Sequence, residues 1–132
     1  MNYLLDTDIC IYWFKGKEQV KEKVRQVGIN NLRITIITLA ELKYGAYYSK
    51  EVNRNLEKIN HFLQKVEVIT LDEMTITKFG QIKAHLRNQG KLIEDFDILN
   101  ASCALVNNCI LVTNNIGHFK RIDELKIENW LE

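Results

Sequence analysis

Short apolar runs alternate with longer helical segments along the whole chain, and this alternation limits the possible folds more than any other feature. The runs have the length and the β-branched content of strands. The predicted strands are Tyr3–Leu5, Leu32–Ile36, Val66–Thr70 and Cys109–Thr113, and the tail from Ile127 to Trp130 is expected to add a short edge strand. Because the runs are continuously apolar, they predict strands that are buried on both faces.

The segments between the strands predict helices that cover this sheet. The predicted helices are Ile9–Phe14, Lys17–Gly28, Thr38–Ser49, Glu51–Val66, Asp72–Asn88 and Asp95–Asn107. The last of them is apolar on nearly all sides, which is typical of a helix at the centre of a domain. The pattern therefore predicts an α/β fold, a three-layer α/β/α sandwich around a central and mostly parallel sheet.

Composition and charge exclude several classes of protein. The chain has 132 residues, of which 46% are hydrophobic, so a single domain spanning residues 1–132 is expected. Eighteen Lys and Arg against 17 Asp and Glu give a net charge of +1, which excludes a strongly basic protein that wraps nucleic acid. No apolar run is long enough to span a membrane, and Asp6 follows the N-terminus too closely for a signal peptide.

The three cysteines, Cys10, Cys103 and Cys109, lie in apolar surroundings. An odd number of cysteines in such positions indicates reduced core thiols, and we therefore expect a cytoplasmic protein. A zinc site formed by Cys103, Cys109 and His118 would lack the paired spacing that is usual for such sites.

Carboxylates follow the predicted strands at the edge where parallel strands end. Asp6 follows the first strand, Glu41 lies early in the helix after the second strand, and Asp97 lies in the first turn of the apolar helix. Ligands of open parallel sheets bind at this edge. Three acids that meet there would repel one another, and a divalent cation would relieve the repulsion. An all-oxygen set of ligands suits Mg²⁺, for which Mn²⁺ can substitute, better than zinc.

Most of these acids also have a purely structural interpretation. Asp6 is a plausible turn residue, while Asp8 and Asp95 are suited to cap the helices that follow them. Thr38 and Glu41 have the spacing of a capping box, in which the Glu side chain binds the backbone of the N-cap residue. Asp97 is harder to explain in this way, because an unpaired carboxylate in an apolar helix is costly. Near the fourth strand, Asn114 and Asn115 are compatible with a simple turn.

Four segments, taken in order, resemble a known family. They are Leu4-Leu5-Asp6-Thr7-Asp8, Ala40-Glu41-Leu42-Lys43-Tyr44-Gly45, Ile93-Glu94-Asp95-Phe96-Asp97-Ile98-Leu99-Asn100-Ala101, and Leu111-Val112-Thr113-Asn114-Asn115 with His118-Phe119. Together they are similar to a PIN domain, and more closely to the VapC-type toxins of type II toxin–antitoxin modules. The resemblance implies a small Mg²⁺-dependent endoribonuclease that forms a homodimer and is inhibited by a VapB-like antitoxin.

The resemblance also implies roles for individual residues. Asp6 and Asp97 correspond to direct metal ligands, and Glu41 would hold a metal directly or through water. Thr113 and Asn115 would support the site, with Asn115 at a position that is acidic in many PIN domains. Asn100 stands where related proteins often carry Ile, and the resemblance implies no role for it. One Mg²⁺ or two would activate a water molecule for attack on the phosphodiester.

The sequence does not identify the residues that contact RNA. Lysines and arginines are candidates for phosphate contacts, but most such side chains only solvate a surface. Tyr44, Tyr47 and Tyr48 are suited to stack on a base, to receive an antitoxin helix, or to pack against the long helices.

Two other functions fit parts of the sequence. Asp6-Thr7-Asp8 also resembles the opening motif of haloacid-dehalogenase-like phosphatases, in which the first Asp is phosphorylated, but there the acid pair follows the Thr-ended strand. Here Asp95 and Asp97 precede Thr113. A non-catalytic PIN-like binding module would be expected to lack Asp6 or Asp97, and both are present.

Overall fold

Five parallel strands form one sheet at the centre of the computed structural model, which describes residues 1–132. The strands are β1 (Asn2–Leu5), β2 (Leu32–Thr35), β3 (Glu67–Ile69), β4 (Cys109–Val112) and β5 (Ile127–Glu128). Their order across the sheet is β3-β2-β1-β4-β5, and all neighbouring pairs are parallel. The four predicted strands and the predicted edge strand are confirmed. Because β1 lies in the middle, the residue that follows it lies at the centre of the sheet edge.

Seven helices and one short 3₁₀ turn (Ile29–Asn31) connect the strands. The helices are α1 (Thr7–Phe14), α2 (Glu18–Val27), α3 (Ile36–Tyr48), α4 (Val52–Leu63), α5 (Glu73–Asn88), α6 (Asp95–Val106) and α7 (Ile116–Phe119). The six predicted helices are confirmed apart from shifts at their ends. The 3₁₀ turn and α7 are too short to produce a periodic pattern. No helix combines the length and the apolar character that crossing a membrane requires.

The helices form two layers, one on each face of the sheet. Helices α1 to α4 bury one apolar cluster, which includes Ile9, Leu42 and Phe62. Helices α5 to α7 bury the other, which includes Leu86, Ile98 and Phe119. The predicted three-layer α/β/α sandwich is therefore confirmed, and both sheet faces are covered as the apolar strands require.

Helix α6 is the most deeply buried helix, as predicted, with one exception. Ile98, Ala101 and Ala104 have no exposed surface, but the Phe96 side chain is 49% exposed. Phe96 lies at the N-terminal end of α6, where the helix reaches the edge of the sheet, so its ring faces solvent. This end of α6 forms part of the site described below.

The three cysteines are buried free thiols, as expected. Burial raises the pKa of Cys10, and it also raises the pKa of Cys103 to about 11. No set of three or more His, Cys, Asp and Glu side chains in the structure is close enough to form a metal cluster, so Cys103, Cys109 and His118 do not form a zinc site.

Candidate active site

Asp6 lies at the centre of the sheet edge and is almost completely buried. Its backbone N–H donates to the Val112 carbonyl at 2.9 Å, which extends the pairing of β1 and β4 by one residue. Its Oδ1 accepts a hydrogen bond from the Thr7 backbone N–H, and its Oδ2 accepts one from Thr113 Oγ1, both at 2.9 Å. Only 8% of the residue is exposed. The structure therefore fixes both oxygens of this carboxylate, one by a hydrogen bond from the first residue of α1 and the other by a hydrogen bond from the loop after β4.

Burial and nearby negative charge raise the pKa of Asp6 from its usual value to about 7. Desolvation is the largest cause, and the charges of Asp8 and Asp97 add to it. The hydrogen bonds from Thr113 and Thr7 act in the opposite direction but do not cancel these effects. A carboxylate that is this unfavourable to ionise, with two further acids near it, is suited to hold a cation.

Asp8 does not cap a helix as predicted. Helix α1 begins at Thr7, and its N-cap is Asp6, whose backbone is extended and whose side chain accepts from the Thr7 N–H. Asp8 instead lies within the first turn, where its Oδ2 accepts a hydrogen bond from the Asn114 backbone N–H at 3.1 Å. Burial is the largest cause of its raised pKa, and the charge of Asp97 contributes. Asp8 thus links the first turn of α1 to the loop after β4.

Glu41 is not part of a capping box. Helix α3 begins at Ile36, and its N-cap is Thr35, whose Oγ1 accepts from the Thr38 backbone N–H at 3.0 Å. Thr38 is therefore already inside the helix and offers no N-cap backbone for Glu41 to bind. The Glu41 carboxylate accepts a hydrogen bond from Thr7 Oγ1 at 2.6 Å. Glu41 is thus directed toward the loop that carries Asp6.

Asp97 is half-buried in the first turn of α6 and interacts with His118. Its Oδ2 lies 3.4 Å from His118 Nδ1. Burial raises the pKa of Asp97, while the hydrogen bond and the charge interaction with His118 lower it by smaller amounts. From the sequence, His118 is a candidate only for a zinc site with Cys103 and Cys109, although it also lies in the segment Leu111–Phe119 that carries the family resemblance. The structure identifies it as the partner of Asp97.

The two predicted supporting residues, Thr113 and Asn115, connect Asp6 with Asp97. Thr113 Oγ1 donates to Asp6 and accepts from the Asn115 backbone N–H at 3.0 Å. The side-chain Nδ2 of Asn115 lies 2.8 Å from His118 Nδ1, the same ring nitrogen that faces Asp97. The loop after β4 therefore contacts Asp6 directly through Thr113 and, through Asn115, reaches the His118 ring that lies beside Asp97.

Asp95 is not the N-cap of α6 either. That position is occupied by Glu94, which has an extended backbone and makes no side-chain capping bond. Asp95 is the first residue of the helix, and its carboxylate forms an ion pair with Lys83 Nζ of α5 at 2.8 Å. Negative charge in the first helical turn is favourable even without a capping bond.

Glu41 and Asp97 face one open cleft of about 850 Å³ at this edge of the molecule. The cleft is also lined by Glu94, Asp95, His118 and the apolar side chains Leu92, Ile93 and Phe96. Asp6 lies deeper, and its charge interacts with that of Asp97. The structure thus brings the three predicted acids to one region, but it does not pack them into a tight cluster of ligands. The donor set consists of carboxylate oxygens at a site of accumulated negative charge, which fits Mg²⁺ or Mn²⁺.

The tyrosines of α3 are mostly exposed, so the prediction that they pack against the long helices is wrong. Tyr44, Tyr47 and Tyr48 are 68%, 65% and 82% exposed. The rings of Tyr44 and Tyr48 stack on each other at 5.9 Å, nearly parallel. Tyr44 is three residues and Tyr48 seven residues after Glu41, so they lie on the same side of the helix as that acid. They remain available for contacts with another molecule.

The raised pKa of Asp6 predicts how stability depends on pH. The protonated Asp6 carboxyl is more stable in the folded protein than in the unfolded chain, in which an Asp titrates near pH 4. The stability that this proton contributes is therefore lost as the pH rises from about 4 through about 7. In EDTA, the free energy of unfolding of an Asp6→Asn variant should match the parent at pH 4 and exceed it by about 2 to 4 kcal/mol at pH 8. Urea unfolding of both proteins across this range measures the difference. A difference that does not change with pH would contradict the assignment.

Comparisons with known proteins agree with this fold. The family model described as PIN domain matches residues 3–125. Ribonuclease VapC2 of Rickettsia felis is 39% identical over 98% of both chains, and the tRNA(fMet)-specific endonuclease VapC of Shigella flexneri is 35% identical over 98% of both. Among solved structures, VapBC2 from Rickettsia felis bound to a DNA fragment from its promoter contains a chain that matches with a TM-score of 0.93 and 38% identity, covering 98% of this chain and 99% of that one.

The match to the family model covers nearly the whole chain. The similarity to the two VapC proteins extends over 98% of this chain and of each relative. The four segments that suggested the family also lie where the structure forms its site. The chain therefore belongs to the PIN domain family and, within it, to the VapC proteins.

Proposed function

We propose that this chain is a metal-dependent endoribonuclease that acts as the toxin of a VapBC-type toxin–antitoxin module. The observation that carries the proposal is the placement of Asp6, Glu41 and Asp97 around one edge of the sheet, with the pKa of Asp6 raised to about 7 by burial and by its acidic neighbours. Relatives named as ribonucleases and as a tRNA-specific endonuclease support the same activity.

Mg²⁺ is the proposed cofactor, and Mn²⁺ is expected to substitute for it. Asp6 and Asp97 would hold the ion directly, while Glu41 would hold it directly or through water. When bound, the ion supplies Lewis-acid stabilisation of negative charge on the phosphate and makes water more acidic. An all-carboxylate set without Cys favours these hard cations over softer ones.

The side chains around the acids would orient them for this task. Thr113 and the Thr7 N–H hold the two oxygens of Asp6, and His118 holds Asp97. Thr7 Oγ1 holds Glu41, so a single residue contacts two of the three acids. The proposed reaction is hydrolysis: water forms a new bond to phosphorus, the bond to the leaving oxygen breaks, and that oxygen takes up a proton. No Ser or Cys nucleophile is required.

RNA is the proposed substrate, and the cleft is suited to it. The apolar side chains of Leu92 and Phe96 line the cleft beside Asp97 and are 43% and 49% exposed, so they can contact a base while the phosphate faces the acids. The name of the Shigella flexneri relative makes initiator transfer RNA the first RNA to test.

A VapB-type antitoxin is the proposed protein partner, since the similar solved structures are VapBC complexes. An apolar cleft of about 330 Å³ between α1, α3 and α4 opens beside Glu41 and includes Ile11, Phe14 and Leu42. It would accept apolar side chains of such a partner. We also propose that the chain forms a homodimer. The exposed tyrosines of α3 provide an aromatic surface against which a second copy can pack.

Metal dependence is the direct test of the proposed activity. The purified chain should cleave RNA with Mg²⁺ or Mn²⁺ and lose at least 99% of that rate in EDTA, with recovery when Mg²⁺ is restored in excess. Gel analysis of cleaved transfer RNA measures the rate, and p-nitrophenyl phosphate serves as the control substrate for a phosphatase. Undiminished RNA cleavage after exhaustive chelation would contradict the proposal, as would hydrolysis of p-nitrophenyl phosphate alone.

A further inference from the structure

Asn100 is a buried amide at the point where the acid-bearing elements meet. It lies on α6, it is 1% exposed, and it is three residues after Asp97, so the two side chains share a face of the helix. The adjacent residues of α6 that point into the core, Ile98 and Ala101, are apolar. A polar side chain in such a place is costly unless its hydrogen bonds are made, and no buried side-chain polar atom in this structure lacks a partner.

The contacts of Asn100 define which end of the amide faces Asp6. Its Oδ1 accepts a short hydrogen bond from Thr35 Oγ1, at 2.5 Å. The Nδ2 group must therefore point the other way, where it donates to Asp6 Oδ1 at 3.4 Å and to Thr38 Oγ1 at 3.5 Å. Thr35 Oγ1 in turn accepts from the Thr38 N–H as the N-cap of α3. A chain of hydrogen bonds thus runs from the start of α3 through Asn100 to Asp6.

We propose that Asn100 is a positioning residue for the metal-binding carboxylate of Asp6, an inference that rests on the proposed function. Asn100 adds a third donor to those from Thr7 and Thr113, so that Asp6 is held from the start of α1, from the loop after β4 and from α6 at once. Through Thr35 it also ties α6, which carries Asp97, to α3, which carries Glu41. The amide thus keeps the three acids at fixed positions relative to one another.

A purely structural role for Asn100 would be to accept the hydrogen bond from the buried Thr35 hydroxyl. An apolar side chain of similar size would fill the same volume, and Thr35 would keep its bond to the Thr38 N–H. The buried Thr35 hydroxyl would lose its acceptor, which lowers stability, and the donor to Asp6 would be lost as well. The two roles therefore differ in cation affinity and turnover, while both are compatible with a folded protein.

Asn100→Leu tests the proposal, with Ser102→Ala as the matched control. Ser102 is fully buried on the same helix, but its hydroxyl donates only to the Ile98 carbonyl at 2.7 Å, away from the acids. Asn100→Leu should weaken Mn²⁺ binding, measured by calorimetry, by about tenfold or more and lower the rate of RNA cleavage by about 10- to 100-fold. The control should leave both unchanged. The midpoint of thermal unfolding of Asn100→Leu in EDTA should lie a few degrees below that of the parent, with a transition that is still cooperative, because the buried Thr35 hydroxyl loses its acceptor.

A second measurement on the parent protein does not depend on the variant folding. The ¹⁵N side-chain amide resonances of Asn100 should shift when Mg²⁺ is added to saturation, because the amide contacts a carboxylate that binds the ion. Parent-like Mn²⁺ affinity and cleavage in a folded Asn100→Leu variant would overturn the proposal, and so would Asn100 resonances that do not respond to saturating Mg²⁺. A parent that neither binds Mn²⁺ nor cleaves RNA would instead overturn the proposed function, and this inference with it.

Discussion

An Asp97→Asn variant should lose RNA cleavage by at least about a thousandfold while it folds as well as the parent in EDTA. The carboxylate is half-buried, and burial already raises its pKa, so removal of the charge relieves a cost in the absence of a cation. The asparagine can still form a hydrogen bond with His118. The loss of activity reflects the loss of a negative charge at the cation, which contributes several kcal/mol to the transition state.

Asp95→Asn is the matched control for this variant. Asp95 lines the same cleft two residues earlier, but its carboxylate forms an ion pair with Lys83. We expect it to retain the rate of cleavage to within about threefold, since exposed ion pairs contribute little. The two variants have the same change of formal charge, so a general electrostatic effect on RNA binding would affect both equally.

Growth of a bacterial host gives an independent measurement of the same change. Expression of the parent should arrest growth, co-expression of a VapB-type antitoxin should restore it, and expression of the Asp97→Asn variant should not arrest growth at all. Cleavage by Asp97→Asn at the parent rate, or a large loss of thermal stability in EDTA, would show that Asp97 is a structural residue.

The layered fold is predictable from the sequence because it depends on long, strongly patterned segments. The end of α2 is a clear example: Gly28 has φ +88°, a conformation that favours glycine, and the predicted helix ends there. The short helix α7 was not predicted, because four residues carry no periodicity. The positions of Asp6, Glu41 and Asp97 at one edge follow from the parallel order of the strands.

Which polar residue begins a helix could not be decided from the sequence. Thr35 and Thr38 are both suitable caps for α3, and Asp6 and Asp8 for α1. The choice depends on where the preceding strand stops, and strand pairing continues β2 only as far as Thr35. The same shift by three residues changes Glu41 from a capping residue into a partner of Thr7. The contacts of Asn100 could not be predicted from the sequence either, because its partners Thr35 and Asp6 are distant from it along the chain.

A Glu41→Gln variant should keep the fold and lose most of the activity. Gln can accept the hydrogen bond from Thr7 Oγ1 as Glu does, so the free energy of unfolding should change by less than about 1 kcal/mol, the typical contribution of one hydrogen bond. The negative charge is lost, however, and RNA cleavage should fall by about a hundredfold or more if Glu41 helps to hold a cation. Steady-state kinetics with Mg²⁺ and urea unfolding measure the two effects separately.

Thr7→Val separates the charge of Glu41 from its orientation. The variant keeps the Thr7 backbone N–H that caps α1 through Asp6, and it removes only the hydroxyl that holds Glu41. Because the charge remains and only its position is loosened, we expect a decrease of about tenfold or less, smaller than in Glu41→Gln. Cleavage at the parent rate by Glu41→Gln would show that Glu41 is not part of the site. The site would then depend on Asp6 and Asp97. A larger loss in Thr7→Val than in Glu41→Gln would instead show that the Thr7 hydroxyl matters beyond its contact with Glu41, since it also lies 3.5 Å from Thr38 Oγ1.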